Sequence, residues 1–277
     1  MSDSLDMKNE KCGVFFGGGG WTSLYHVGAI HALYESQSTC DNIHTAGGSS
    51  SGAMYAVAFL LKTPVSELFT AWTAAASQAR IHGCYGKGSD YTDSLLRQML
   101  PDHGEEYKTL NGRLFIGITQ FPATASLINH WTSNAHIRDC LCTSMHIPLY
   151  CQHNTRHIGI DGAWVKSLWE LPGIQTTICI SAMNKRAHVC PQPGQIPWQA
   201  GVWPVAAGHE EYRLFKLGRQ HMSAYLESPE KHTRSKSPMS MKENIYKCAS
   251  VVCLAGAWAV YWVRRTQLNI QSFFGSR

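Results

Sequence analysis

The sequence predicts an α/β fold built on a largely parallel sheet. Three observations predict it. Short apolar runs of strand length alternate with segments of helical spacing, glycine clusters follow the first two runs at once, and no internal repeat breaks the alternation. The 277 residues are enough for one sizeable domain with appendages. Hydrophobic residues make up 44% and charged residues 16%, which is the balance of a globular chain rather than a disordered one.

The elements follow in order. Cys12 to Phe16 is an uninterrupted apolar run, read as a buried strand, and Gly17-Gly18-Gly19-Gly20 ends it. From Ser23 the residues Leu24, Val27, Ile30, His31 and Leu33 recur at helical spacing. Asn42 to Ala46 makes a second strand, ending in Gly47-Gly48-Ser49-Ser50-Ser51-Gly52. Ala53 to Leu61 is too uniformly apolar for a surface helix and is expected to be a buried one. Pro64 opens a helix over Val65 to Arg80, and the glycines between Gly83 and Gly88 mark a loop. Further strands are expected at Leu114 to Thr119, Leu127 to Trp131, Arg156 to Ile160 and Thr176 to Ser181, with a helix over Ala135 to Met145.

Composition changes near residue 228. Residues 228–244 are polar, charged and proline-containing, as a linker is, and close a folded domain expected over 12–227. Residues 245–265 then form a hydrophobic helix expected to associate with a membrane. The uncharged stretch Cys248 to Val263 lies between Lys247 and Arg264-Arg265, with Tyr246, Trp258, Tyr261 and Trp262 near its ends. As a helix it measures roughly 24 Å, so spanning and interfacial attachment both remain open.

The formal net charge of +5 comes with no Lys/Arg stripe interleaved with aromatics, so no nucleic-acid partner is expected. Met1 to Lys11 is polar, and no secretory signal is expected there. The ten cysteines are irregularly spaced with no CxxC pair, a pattern of reduced, mostly buried thiols in a chain facing the cytoplasm rather than of a disulfide framework or a zinc site. No metal and no cofactor are expected.

Two motifs carry chemistry. Gly48-Ser49-Ser50-Ser51-Gly52 is a G-x-S-x-G string between a strand and a helix. There a serine on a sharp turn projects its hydroxyl, and the small residues two positions away let the backbone pass itself. Ser49 and Ser51 are rival hydroxyls, but only Ser50 has glycine on both sides at that spacing. The loop Gly17 to Gly20 can turn main-chain N–H groups toward a phosphate or a developing oxyanion. It lacks the lysine of a Walker A loop, and Ser23 stands where a dinucleotide fingerprint needs its last glycine. A third piece, Asp161-Gly162-Ala163, follows the expected strand Arg156 to Ile160, and taken alone reads as a turn.

In this order the three pieces resemble the patatin-like phospholipase family, in the pattern of its adipose triglyceride lipase and adiponutrin branch. Tyr25-His26-Val27-Gly28, Asn111-Gly112-Arg113-Leu114 and Ser144-x-x-Ile147-Pro148-x-Tyr150-Cys151 look like that branch too. The resemblance covers residues 12 to about 225. It implies a three-layer sandwich and a lipid acyl hydrolase acting on carboxylic esters of glycerolipids, phospholipid or acylglycerol, at a membrane or lipid-droplet surface. It further implies Ser50 as nucleophile, Asp161 as its base in a dyad without histidine, and Gly18, Gly19 and Gly20 as the oxyanion hole. The sequence departs from the family at Ser23, which replaces the last glycine of the loop pattern, and after Ala163, where Trp164-Val165-Lys166 replaces the frequent Asn-Pro. Ser23 motivates the rival expectation, a catalytically impaired lipid- or membrane-binding protein with the same fold.

Overall fold

Strands β1 (Cys12–Phe16), β2 (Ile43–Ser49), β3 (Leu114–Gln120), β4 (Thr124–Ile128) and β5 (Thr176–Ile180) form one sheet in the order β4-β3-β2-β1-β5. In the computed structural model, residues 12–232 are described apart from 89, 121–123, 148–149, 152–158, 164–165 and 167. β1 pairs parallel with β2 and β5, and β2 pairs parallel with β3. β4 runs antiparallel to β3 at the sheet edge. The expectation of a largely parallel sheet therefore holds.

The chain steps β1, β2, β3 in one direction and then returns to the far side of β1 for β5. Right-handed connections place the helices of the first steps on one face, and the reversal brings the chain entering β5 across the other. The helices are α1 (Leu24–Glu35), α2 (Gln37–Asn42), α3 (Ser51–Leu60), α4 (Val65–His82), α5 (Asp90–Met99), α6 (Glu106–Leu110), α7 (Asn134–Ser144) and α8 (His209–Glu227). Every one contributes to a single large core with Val14, Phe16, Ile116 and Ile178. The opposite face presents Phe15, Phe115 and Cys179 and is covered by Leu168 and Leu171 of an irregular segment. The third layer is therefore non-helical chain among the described residues. Glycine makes this thin cover fit: a Cβ at Gly47 would stand 2.8 Å from Leu171 Cδ2.

α1 and α8 cross at backbone contact. A Cβ at Gly28 would come within 1.9 Å of the Phe215 carbonyl oxygen, and one at Gly218 within 1.9 Å of the Tyr25 carbonyl oxygen. The helix that follows the glycine loop is thus locked to the last described α-helix of the chain.

The structure alters several expected boundaries. β2 runs on through Gly47 and Gly48 instead of ending at Ala46, because these glycines pair with Phe15, Phe16, Phe115 and Ile116 in the parallel ladder. The strand expected at 127–131 is β4, which ends at Ile128; Trp131 is buried in the helix-side core instead. Of the strand expected at Arg156 to Ile160, residues 156–158 lie outside the described residues, and Ile160 forms an antiparallel bridge with Thr119. α5 and α8 had no counterpart among the sequence expectations. The eight described cysteines are free thiols, six of them buried. The linker 228–244 beyond residue 232 and the hydrophobic stretch 245–265 lie outside the described residues. Among the described residues no helix is long and apolar enough to cross a membrane.

Candidate active site

The strand order reverses at β1, and crevices in open α/β sheets lie beyond the carboxyl ends of strands at such a point. Both glycine-rich segments sit there, Gly17 to Gly20 after β1 and Ser50 after β2.

Ser50 occupies the turn between β2 and α3 with φ 54° and ψ −138°, a conformation an L-residue adopts only under constraint. The constraint is close packing. A Cβ at Gly48 would lie 2.4 Å from the main chain of Gly52, and one at Gly52 would lie 2.2 Å from the Phe16 carbonyl oxygen. Glycine at both positions is what lets β2 turn straight into α3 against the end of β1. The α3 N-terminus then directs its positive dipole end at the Ser50 hydroxyl.

Asp161 is held by contacts distant in sequence. The Ile160–Thr119 bridge fixes the preceding residue to the end of β3. The Asp161 N–H donates to the His146 carbonyl at 2.9 Å, and the Gly162 N–H donates to the Ser144 carbonyl at 2.9 Å. This anchoring brings Asp161 Oδ2 to 2.5 Å from Ser50 Oγ, which donates to it across 111 positions of sequence. Asp161 Oδ1 accepts the Ala163 N–H at 2.9 Å. Ser50 is 7% exposed and Asp161 4%. Burial pushes the Asp161 carboxyl from an ordinary 3.8 up to about 6, against the opposing pull of its hydrogen bonds from Ser50 and Ala163.

The glycine loop abuts both groups. A Cβ on Gly18 would meet Ala163 Cβ at 2.6 Å and Ser50 Cβ at 3.1 Å, and Gly20 has φ +51°. The Gly19 N–H donates to Ser51 Oγ at 3.2 Å, so the rival hydroxyl Ser51 braces the loop. Among the described residues no hydrogen bond leaves the N–H of Gly18 or Gly20. Ser23 has φ −65° and ψ −11°, a backbone open to any residue, and its hydroxyl donates to Tyr55 OH at 3.4 Å. The geometry at this point of the loop does not require glycine. Behind the loop His26 is fully buried among Phe16, Tyr25 and Tyr55 with neither ring nitrogen hydrogen-bonded, and burial lowers its imidazole to about 3.

One residue of the assembly was not singled out from the sequence. Ser144, fully buried at the end of α7, accepts the Ser50 N–H on its Oγ at 2.9 Å and donates from the same Oγ to the Gly117 carbonyl at 2.6 Å. With its own carbonyl on Gly162, it joins the serine turn, the sheet and the aspartate turn. The signal available was its place at the head of the Ser144-x-x-Ile147-Pro148 resemblance.

Ser50 opens into a cavity of about 110 Å³ whose walls are mainly apolar, among them Trp21, Met54, Tyr55, Trp72 and Leu95. Among the described residues no group of three His, Cys, Asp or Glu side chains is arranged to hold a metal ion.

The fold and site are those of an α/β protein with a buried Ser–Asp pair at the carboxyl end of a mostly parallel sheet, beside a glycine loop. The sequence model of the patatin-like phospholipase family matches residues 14–168, and the chain belongs to that family. It is 29% identical over 192 residues to mouse patatin-like phospholipase domain-containing protein 5, a match covering 64% of this chain and 43% of the relative. It is 25% identical over 191 residues to mouse 1-acylglycerol-3-phosphate O-acyltransferase Pnpla3, covering 64% of this chain and 45% of the relative. The match therefore spans less than half the length of these curated relatives. Among solved structures, VipD from Legionella pneumophila superposes with a TM-score of 0.54 at 12% identity, covering 96% of this chain and 77% of that one. At that identity the likeness concerns the fold.

Proposed function

We propose that this protein is a lipid acyl hydrolase of the phospholipase A or triacylglycerol lipase type, cleaving carboxylic esters of glycerolipids through a Ser50–Asp161 dyad at a membrane or lipid-droplet surface. One observation carries the reading: the Ser50 hydroxyl donates to a buried carboxylate at 2.5 Å on the wall of an apolar cavity. An aspartate at its ordinary pKa is a feeble base for a serine hydroxyl. Dry surroundings that lift Asp161 to about 6 improve the match while leaving it ionised at neutral pH.

In the proposed reaction Ser50 Oγ attacks the ester carbonyl carbon as its proton passes to Asp161 Oδ2. The negative charge gathering on the carbonyl oxygen is met by the N–H groups of Gly18 and Gly20, with Gly19 turned to Ser51. Collapse breaks the bond to the alcohol, which leaves with the proton from Asp161, and the acyl group stays on Ser50. Water then gives its proton to Asp161 and attacks the acyl-enzyme, releasing fatty acid and restoring Ser50. The rival reading, lipid binding without turnover, is motivated by Ser23, and the ordinary backbone of that residue favours the hydrolase reading over it.

The test is hydrolysis of a long-chain ester by native protein, Ser50→Ala and Asp161→Asn, with fluorophosphonate labelling in parallel. Both variants should lose at least about 10³-fold in rate, and Ser50→Ala should lose labelling. Equal rates in all three proteins would dispose of the reading.

A further inference from the structure

We propose that the rim of the Ser50 cavity is the face by which this protein lies on an anionic phospholipid surface, an inference that rests on the acyl-hydrolase reading above. Three stretches of chain form the rim, and hydrogen bonds tie them together. The Gly86 N–H in the loop after α4 donates to the Tyr150 carbonyl at 2.9 Å. Tyr150 OH donates to the Val202 carbonyl at 2.8 Å, and Trp21 Nε1–H donates to Tyr150 OH at 2.8 Å. Gly88, Tyr150 and Val202 all line the cavity.

On or beside these stretches stand six of the exposed large apolar side chains among the described residues. Ile81 and Tyr85 come from the end of α4 and its loop, and Trp198, Val202 and Trp203 from the segment after Pro197. Met183 joins them, with its Cε 3.4 Å from where a Gly201 Cβ would stand. Tyr85 is 76% exposed and Trp198 67%. Exposed apolar residues scattered singly are ordinary, whereas a group around the opening of an apolar cavity marks an interaction surface.

Charge identifies the occupant. From Leu68 to Gly88 and from Leu171 to His209 the sequence contains no aspartate or glutamate, while it supplies Arg80, Lys87, Lys185 and Arg186; Asp90 borders the first stretch, and Glu170 and Glu210 border the second. Arg80 is paired with Glu211 at 2.5 Å. Lys185 lines a shallow groove together with Met183 and Trp198. Indole and phenol rings settle at the headgroup level of a bilayer, and lysine and arginine beside them are drawn to anionic lipid. Seated in this way, the cavity opens onto the acyl chains, and a long-chain ester reaches Ser50 without crossing water.

The experiment uses the full chain and vesicles of equimolar phosphatidylcholine and phosphatidylserine, some with brominated acyl chains that quench nearby tryptophan. Native protein is compared with Trp198→Ser/Trp203→Ser and with Lys185→Glu/Arg186→Glu. Each double variant should bind about tenfold more weakly. The serine variant should also lose most of the bromine quenching, and both should hydrolyse a soluble short-chain ester at the native rate. If the serine variant is quenched to the same fraction as the native chain, the proposal is overturned even though both bind, because other tryptophans, Trp258 and Trp262 among them, then make the contact. A native dimer that both variants dissociate, with vesicle binding unchanged, would assign the rim to a second copy and also overturn it. Binding and quenching require no turnover, so they stand or fall separately from the ester-hydrolysis reading.

Discussion

The two members of the Ser50–Asp161 pair are built in opposite ways. Ser50 is fixed chiefly by its neighbours in sequence, a strand ending at Ser49, a helix starting at Ser51 and glycines at 48 and 52 that let the main chains touch, with one remote hydrogen bond from its N–H to Ser144 Oγ. Asp161 belongs to no strand or helix and is fixed by remote hydrogen bonds to Thr119, Ser144 and His146. Local compression holds most of the serine turn, and distant anchoring holds the aspartate. The first kind of support should fail all at once and the second by degrees.

The sharpest way to break the local side is Gly52→Ala. Its Cβ would sit 2.2 Å from the Phe16 carbonyl oxygen, and that oxygen belongs to the sheet and cannot swing aside. A loss of about 4 kcal/mol or more is expected in denaturant unfolding, or no soluble protein at all.

Next in size is Asp161→Asn, which should stabilise the fold. A carboxyl raised from 3.8 to about 6 binds its proton more tightly in the folded state, so the ionised form costs stability above about pH 6. The cost fades as pH falls through that value and is gone below the unfolded pKa. Melting measured across pH should show the variant ahead by about 2–3 kcal/mol at pH 8 and level with the native chain near pH 4. In the native enzyme the same ionisation should make kcat/KM rise with pH through about 6 and then level off.

Ser144→Ala tests the one remote bond on the serine side and leaves the backbone anchoring of Asp161 in place. It leaves the Ser50 N–H and the Gly117 carbonyl without their buried partner, at an expected cost of about 1–3 kcal/mol. Rate should fall by about 10–100-fold with the pH profile unmoved, and Ser144→Thr should restore part of it where Ser144→Cys does not. An unchanged rate would mean that Ser50 keeps its turn without the remote bond.

At neutral pH and above, the smallest effect is expected at His26→Phe. Neither imidazole nitrogen has a hydrogen bond, so an apolar ring of similar shape should be neutral or gain about 1 kcal/mol at pH 8. Below pH 6.5 the gap should widen. A histidine lowered to about 3 stays neutral when folded but takes up a proton when unfolded, which drains stability as pH falls from 6.5 toward 3. Acid titration of both proteins measures the difference.

The same contrast explains what the sequence made legible. β1, β2, α1, α3 and α4 are contiguous patterns of apolar spacing and glycine, and each was expected within a few residues of its place. Ser50 shared that clarity, because its turn is dictated by residues two positions away. Asp161 did not: Asp-Gly alone is a turn, and only the resemblance singled it out. Ser144 acts through one hydroxyl at the end of an amphipathic helix, a pattern that gives no local sign of a bond to a residue 94 positions earlier. The edge strand β4 lies three residues earlier than expected because none of its side chains is fully buried, which removes the alternation that marks a half-buried strand. α8 carries a helical pattern of its own in Leu214, Met222 and Tyr225, but what seats it is Gly218, whose importance depends on another helix.

The meeting of Gly28 with Gly218 has a practical corollary for anyone trimming this polypeptide. Residues 14–168 carry the family pattern, yet the loop that would receive a substrate's carbonyl leads into a helix clamped from outside that stretch. Excising the recognisable portion would strip away the β5 flank and leave α1 with a bare groove along its backbone. Such a fragment is expected to stay insoluble or unlabelled by active-site probes, whereas a piece ending after residue 227 keeps the clamp.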